Sequence, residues 1–300
     1  MKRRLFDFLI EIDAGEELAR ALCAAYERLC ADHGEGVLTD AVSGYYASRA
    51  KTANDVTRAL DGVAAESGVH AYTLDALFVA LSYMHIRDGY VLRHGEEIFL
   101  DSARDLTYKL RECHGLYGIV GTRAISWHNL LLREDLFALG RLQFHVVSFP
   151  FDGVTVGGVT VKKGDPVLKT HIPSSGPLLR EECLDSYRRA YRFFRDKMKS
   201  DLVPFVCFSW LLSPRIAAGY PEGSNLAGFY SDFHIFARRD DEKNLDLWRV
   251  FGVEYTEGMD VAALPRTSAL RAHLGSILDA GGCMENGYGI FLHDGENTIK

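Results

Sequence analysis

The stretch VLKTHIPSSGPLLREECLDSYRRAYRFFR, residues 167–195, sets a short apolar strand, a turn of small residues and a helix in immediate succession. The turn holds Ser174, Ser175 and Gly176 between Pro173 and Pro177. The helix after it opens with Glu181 and Glu182 and then turns basic through Arg188, Arg189, Arg192 and Arg195. Such a turn either receives a ligand or only reverses the chain. Elsewhere, Cys207 with His171 or His145 supplies the residue types of a thiol-dependent hydrolase, but no local nucleophile motif supports that pairing. The six cysteines are scattered, with no C-x-x-C and no Cys/His spacing of a zinc site, so no metal is expected and a reduced, cytoplasmic setting fits.

The elements that must position these residues fall into two halves. From Glu16 to about Cys113 the apolar residues recur at helical steps, as in Leu18, Leu22, Ala25, Tyr26 and Leu29. The run LDALFVALSYMHI is apolar on most faces and predicts an interior helix. Asp101, Asp105 and Lys109 follow at four-residue steps and predict a solvated row. Gly118 and Gly121 predict tight turns.

From Arg141 the period drops to two. RLQFHVVSF reads as a half-polar strand, and GVTVGGVTVKKGD as a hairpin turning on Gly157-Gly158. Strands are expected over 141–149, 167–172, 204–212, 229–237 and 287–292, all in one sheet. In the fourth, Tyr230, Asp232 and His234 share a polar face, while Trp210 sits with Val206, Phe208 and Leu212 on an apolar one. The helix after Pro177 is expected to pack through Leu184, Tyr187, Tyr191, Phe194 and Met198. The fold class is therefore α/β (α+β), a helical N-terminal domain over 1–130 followed by a mixed-sheet α/β domain over 131–300.

With 300 residues, 47% hydrophobic and 25% charged, the chain has the composition of a soluble globular protein. Its apolar runs are too short to span a bilayer, so no membrane partner is expected. A net charge of −7 disfavours nucleic acid. A small molecule or another protein is the expected ligand. The sequence says nothing about oligomeric state.

The segments ALGRLQF (138–144), HIPSSGPL (171–178), CFSWLLSP (207–214), PEGSNLAGF (221–229), LPRTSALR (264–271) and AGGCMENGYGIF (280–291), with DLTYKLRECHGLYGIVGT (105–122), resemble the bacterial acyltransferase-like family that pairs an N-acyltransferase N-terminal domain with a GNAT-like C-terminal domain. The resemblance implies an acyl-CoA or acetyl-CoA co-substrate, without metal, and a small-molecule or peptide amine as acceptor. It implies that the strands carrying His171 and Cys207 diverge, and that Ile172, Ser174, Ser175, Gly176 and Leu178 line the CoA path, with pyrophosphate on the N–H groups that open the helix. Arg188 would then meet an outer phosphate. The same resemblance makes His171 and His145 candidate bases, and Tyr230 and Cys207 candidate acids. The Q/R-x-x-G-x-G/A motif of such folds is absent, and Glu181 and Glu182 occupy the first helical turn. Both departures suit the alternative, a catalytically inactive ligand- or partner-binding protein.

Overall fold

The computed structural model describes residues 1–300, which divide into two compact units, Met1–Ala138 and Leu139–Lys300. The first unit is helical: α1 (Lys2–Glu11), α2 (Glu16–His33), α3 (Gly36–Ala47), α4 (Ala53–Arg58), α5 (Asp61–Glu66), α6 (Ala71–His94), α7 (Glu96–Tyr117) and α8 (Ile125–Leu132). Helix α6 is the predicted interior helix, with an unbroken buried run from Ala76 to Tyr83. Gly118 ends α7 in the left-handed region at φ 68°, and Gly121 lies against the backbone of Tyr72, where a Cβ would meet the carbonyl oxygen at 2.5 Å.

The predicted solvated row on α7 is not solvated. Asp105 is 1% exposed and lies 3.8 Å from Nδ1 of the fully buried His128, while Lys109 turns to Glu112 at 3.0 Å. Spacing showed that these side chains share a stripe of the helix; it could not show that α8 carries a histidine to meet it.

The second unit is built on a seven-stranded sheet in which β1 (Phe137–Leu139), β2 (Leu142–Ser148), β5 (Pro166–His171), β6 (Val203–Ser209), β8 (Met284–His293) and β7 (His234–Asp241) lie side by side in that order, with β9 (Thr298–Ile299) also on β8. The hairpin of β3 (Gly153–Val156) and β4 (Val159–Lys162) is a separate two-stranded sheet whose Val156 and Val161 pack in one buried cluster with Val167, Ile290 and Leu292. Gly157 and Gly158 supply its turn with φ values of 52° and 75°, as expected of a two-residue hairpin loop. Helix α9 (Arg180–Phe194) follows β5. The short helices α10 (Pro214–Ala217), α11 (Asn225–Ser231) and α12 (Trp248–Phe251) and the longer α13 (Ala269–Asp279) occupy the connections after β6 and β7.

The α9 stripe is buried at Cys183, Ser186, Tyr187, Ala190, Tyr191 and Phe194; Leu184 is only half-buried and Met198 lies beyond the helix end. Tyr187 meets Phe205 and Phe291 edge-on at 5.8 and 4.9 Å, and Phe144 meets Phe205 at 5.8 Å, so this face of the sheet is an aromatic core.

Two strand expectations need correction. Residues 229–233 are not strand: Ser224 caps α11 through the Ala227 amide, and Tyr230 lies in that helix. On β6 it is Val203, Phe205 and Cys207 that are buried. Phe208 is 38% exposed on the other face, and Trp210 opens a 3₁₀ turn (Trp210–Leu212) that packs on a separate cluster around Ile216, Leu274 and Met284. An all-apolar run has no alternation to say which face is inside.

Beside that turn, β8 has no side chains at Gly287 and Gly289. A Cβ at Gly287 would sit 1.9 Å from the Leu212 carbonyl oxygen, and one at Gly289 would fall 2.7 Å from Phe233.

Candidate functional site

The site is organised by an interruption in the sheet. Strands β5 and β6 are its one parallel pair among the registered ladders, and they match over just two positions, Leu168 with Phe205 and Lys169 with Val206. Beyond them β6 stays paired to β8 as far as Ser209 opposite Gly287, and β5 stays paired to β2 as far as His171 opposite Gln143. Thr170 and His171 on one strand and Cys207 to Ser209 on the other therefore end in a fork whose facing backbone groups are outside the ladder. Thr170 has a hydroxyl that is 1% exposed and without a protein hydrogen-bond partner. A buried hydroxyl of this kind costs stability unless something hydrogen-bonds to it.

Alternation decides what each side of the fork carries. Thr170 and Cys207 turn toward the α9 face. His145 and Lys169 are direct cross-strand partners on the opposite face, with His171 one step further along. The two imidazoles stack, with centroids 4.8 Å apart and planes 8° from parallel, and His171 Nε2 shares a hydrogen bond of 3.0 Å with His145 Nδ1. Burial, and then the Lys169 charge, pushes His145 down to about 4; burial, the neighbouring His145 and Lys169 push His171 well down as well. Both rings are neutral near pH 7 and can accept or relay a proton, each as a weak base.

The turn that follows β5 is held from below. Arg141 donates from Nη1 to the Pro173 carbonyl at 3.1 Å, from Nη2 to Gly176 at 2.6 Å and from Nε to Pro177 at 2.9 Å. Ser174, Ser175 and Gly176 are exposed at the tip, Gly176 at φ 123°, whereas Leu178 is buried and Ile172 half-buried. Helix α9 starts without a side-chain cap, so its first N–H groups are left to other acceptors. Its first residue, Arg180, pairs with Asp232, which is 2% exposed and also accepts from the Tyr187 hydroxyl at 3.1 Å. Two cations, Arg141 and Arg180, thus stand at a turn where the sequence displays Glu181 and Glu182.

The other sequence candidates lie away from the paired histidines. Cys207 is 2% exposed on the α9 face, and burial pushes its thiol up to about 12, which keeps it protonated and unsuited to nucleophilic attack. Tyr230, in α11, packs near Tyr220 at 6.5 Å, with its hydroxyl raised by burial. Arg188 is eight residues into α9, more than two turns from its start, and acts on His293 instead. Asp232 is neither solvent-facing nor on a strand, and His234 is exposed on β7.

Sequence reading missed Arg141, Lys169, Thr170 and Arg180. For Lys169 the signal was present: in VLKTH the period of two puts Lys169 and His171 together on one face. Arg141 had none, because its acceptors are carbonyls 32 or more residues away.

No metal-binding cluster of His, Cys, Asp or Glu is present, and no helix is long and apolar enough to cross a membrane. Several solved structures resemble the chain. One is an acyltransferase in complex with decanoyl-CoA and teicoplanin, 22% identical over 95% of this chain and 86% of that one, with a TM-score of 0.71. Another is a mutant acyltransferase in complex with octanoyl-CoA, 21% identical over 96% and 87%, with a TM-score of 0.72. A third, an acyltransferase in complex with decanoyl-CoA, is 26% identical over 75% and 67%, with a TM-score of 0.62. No curated protein matches the chain. Residues 136–291, more than half of the sequence, match the model of the GNAT-like C-terminal domain, and the chain belongs to that family.

Proposed function

We propose that the protein is a cytoplasmic acyl-CoA-dependent N-acyltransferase acting on an amine of a small-molecule or peptide acceptor. The observation that carries this reading is the fork between β5 and β6, where a parallel ladder stops after two positions beside an uncapped helix start. The residues present fit the co-substrate. The fork offers unladdered backbone and the unpartnered Thr170 hydroxyl to an amide-bearing arm, and the turn clamped by Arg141 offers N–H groups to a pyrophosphate. Acyl-CoA, when bound, supplies an activated thioester.

The work left to the chain is to hold and orient. Arg141 fixes the turn before any ligand arrives, and Arg180, anchored by the buried Asp232, adds positive charge at the helix start. His171 and His145, neutral at physiological pH, accept a proton from the incoming amine directly or through each other. Acyltransferases of like fold crystallised with octanoyl-CoA, decanoyl-CoA and teicoplanin support both the donor class and a small-molecule acceptor.

A thermal-shift panel of CoA thioesters of rising acyl length tests the reading. An acyltransferase is stabilised by at least one member, with the shift growing with concentration. A panel with no shift favours the binding-protein alternative, to which the Glu181–Glu182 pair would be no obstacle.

A further inference from the structure

Several cations in the second unit are matched to carboxylates: Arg180 to Asp232, Arg195 to Asp201, Lys199 to Asp165 and Arg215 to Asp240. Lys169, at the fork, has no such match. It is half-buried, it forms no ion pair or side-chain hydrogen bond, and it is the last β5 residue in the ladder with β6. Its neighbours on the same face are His145 directly across and His171 one step on, and no carboxylate contributes to the field at either ring. A half-buried lysine at the fork with no carboxylate partner, beside two histidines, gives this patch the make-up of an anion site.

The charge also sits where the chemistry would place one. In aminolysis of a thioester, the acceptor nitrogen bonds to the carbonyl carbon and the C–S bond breaks with its electron pair going to sulfur. The proton lost by nitrogen balances the one gained by sulfur. We propose that Lys169 is a catalytic residue that pairs with, and protonates, the leaving thiolate at the mouth of the β5–β6 fork, while the His145–His171 pair takes up the proton released by the amine. The assignment rests on the acyl-CoA reading above.

Binding of CoA and desulfo-CoA, compared by calorimetry at about pH 9 where a free thiol is substantially ionised, tests it without any turnover. The native protein is expected to prefer CoA by about tenfold, the scale of a charge-assisted hydrogen bond. Lys169→Met should bind both alike, and Lys169→Arg should restore part of the preference. Because the methionine removes an unpaired charge, the variant should melt no lower than the parent. Equal binding of the two ligands by the native protein, or a preference that survives in Lys169→Met, overturns the assignment while leaving the acyl-CoA reading intact. If neither ligand binds the native protein, the acyl-CoA reading falls and takes this inference with it.

Discussion

On the α9 face of the second unit's sheet, Phe205 and Phe291 pack against Tyr187, and Phe144 against Phe205. On the opposite face the same strands carry His145, Lys169, His171 and the half-exposed Phe208. One backbone therefore presents an aromatic core on one side and, on the other, titratable groups at the forked end beside a second apolar cluster of Val167, Val206, Ile290 and Leu292. The period of two makes this possible, since every inward residue of a strand has an outward neighbour. The difference separates substitutions that unfold the protein from those that disarm it, and the following experiments set the two faces against each other.

The largest effect is expected at Phe205, whose ring stacks on Phe291 at 5.0 Å. Phe205→Ala should destabilise by about 3–5 kcal/mol in chemical denaturation, whereas Phe208→Ala, three residues along, should cost about 1 kcal/mol or less. Equal losses would mean that the two faces are not distinct in energy.

Asp232→Ala comes next. It strands the Tyr187 hydroxyl and the Arg180 guanidinium, and a loss of roughly 3 kcal/mol is expected for breaking a buried pair of which one partner is partly exposed. Asp232→Asn should lose less, because the amide keeps an acceptor for Tyr187.

The polar face is expected to answer to pH. His145 is lowered from 6.5 to about 4 by burial, so its folded form stays neutral where the unfolded chain takes up a proton. Stability from this group is therefore complete above about pH 6.5 and declines as pH falls toward about 4. His128, buried in the first unit and also lowered to about 4, gives a slope of the same sign in its own unit. His145→Asn should flatten the decline seen by a probe in the second unit, such as Trp210 fluorescence, and an unchanged slope would show that His145 is not its source.

At the turn, Arg141→Met should weaken CoA binding about fivefold, the scale of lost hydrogen bonds, with a smaller change in melting temperature. Smallest is the double change Glu181→Gln with Glu182→Gln. Each carboxylate stabilises the helix start by about 0.3–1 kcal/mol but opposes an incoming phosphate. The double variant should be slightly less stable and bind CoA about two- to fivefold tighter at low salt, and the gain should shrink as salt is raised. No gain, in a protein that binds CoA, would move the pyrophosphate away from this helix.

These two faces also mark how far the sequence could be read. The strands over 141–149, 167–172 and 287–292 and the α9 stripe were visible because polar and apolar residues alternate or recur there. The face of β6 was not, because VPFVCFSWLL is apolar on both sides and only the partner strands decide which side is core. The segment 229–233 was misread as strand because FYSDFHIF mixes aromatic and polar residues at a period of two, while the Ser224 cap that starts a helix there is a local signal that was overlooked. At the site, His145 and His171 were legible as types, but their contact requires the register of β2 on β5. The clamp of Arg141 on three carbonyls leaves no trace in spacing.

The bare backbone of β8 at Gly287 and Gly289 has a further result. Because the Leu212 turn and Phe233 rest directly on it, a slip of one residue would drive Asn286 or Tyr288 into those contacts, so the alignment of β8 with β6 is fixed by steric exclusion. The β6 arm of the fork is thereby held in register from behind. A larger residue at Gly287 would therefore disturb the fork from a strand that is not part of it.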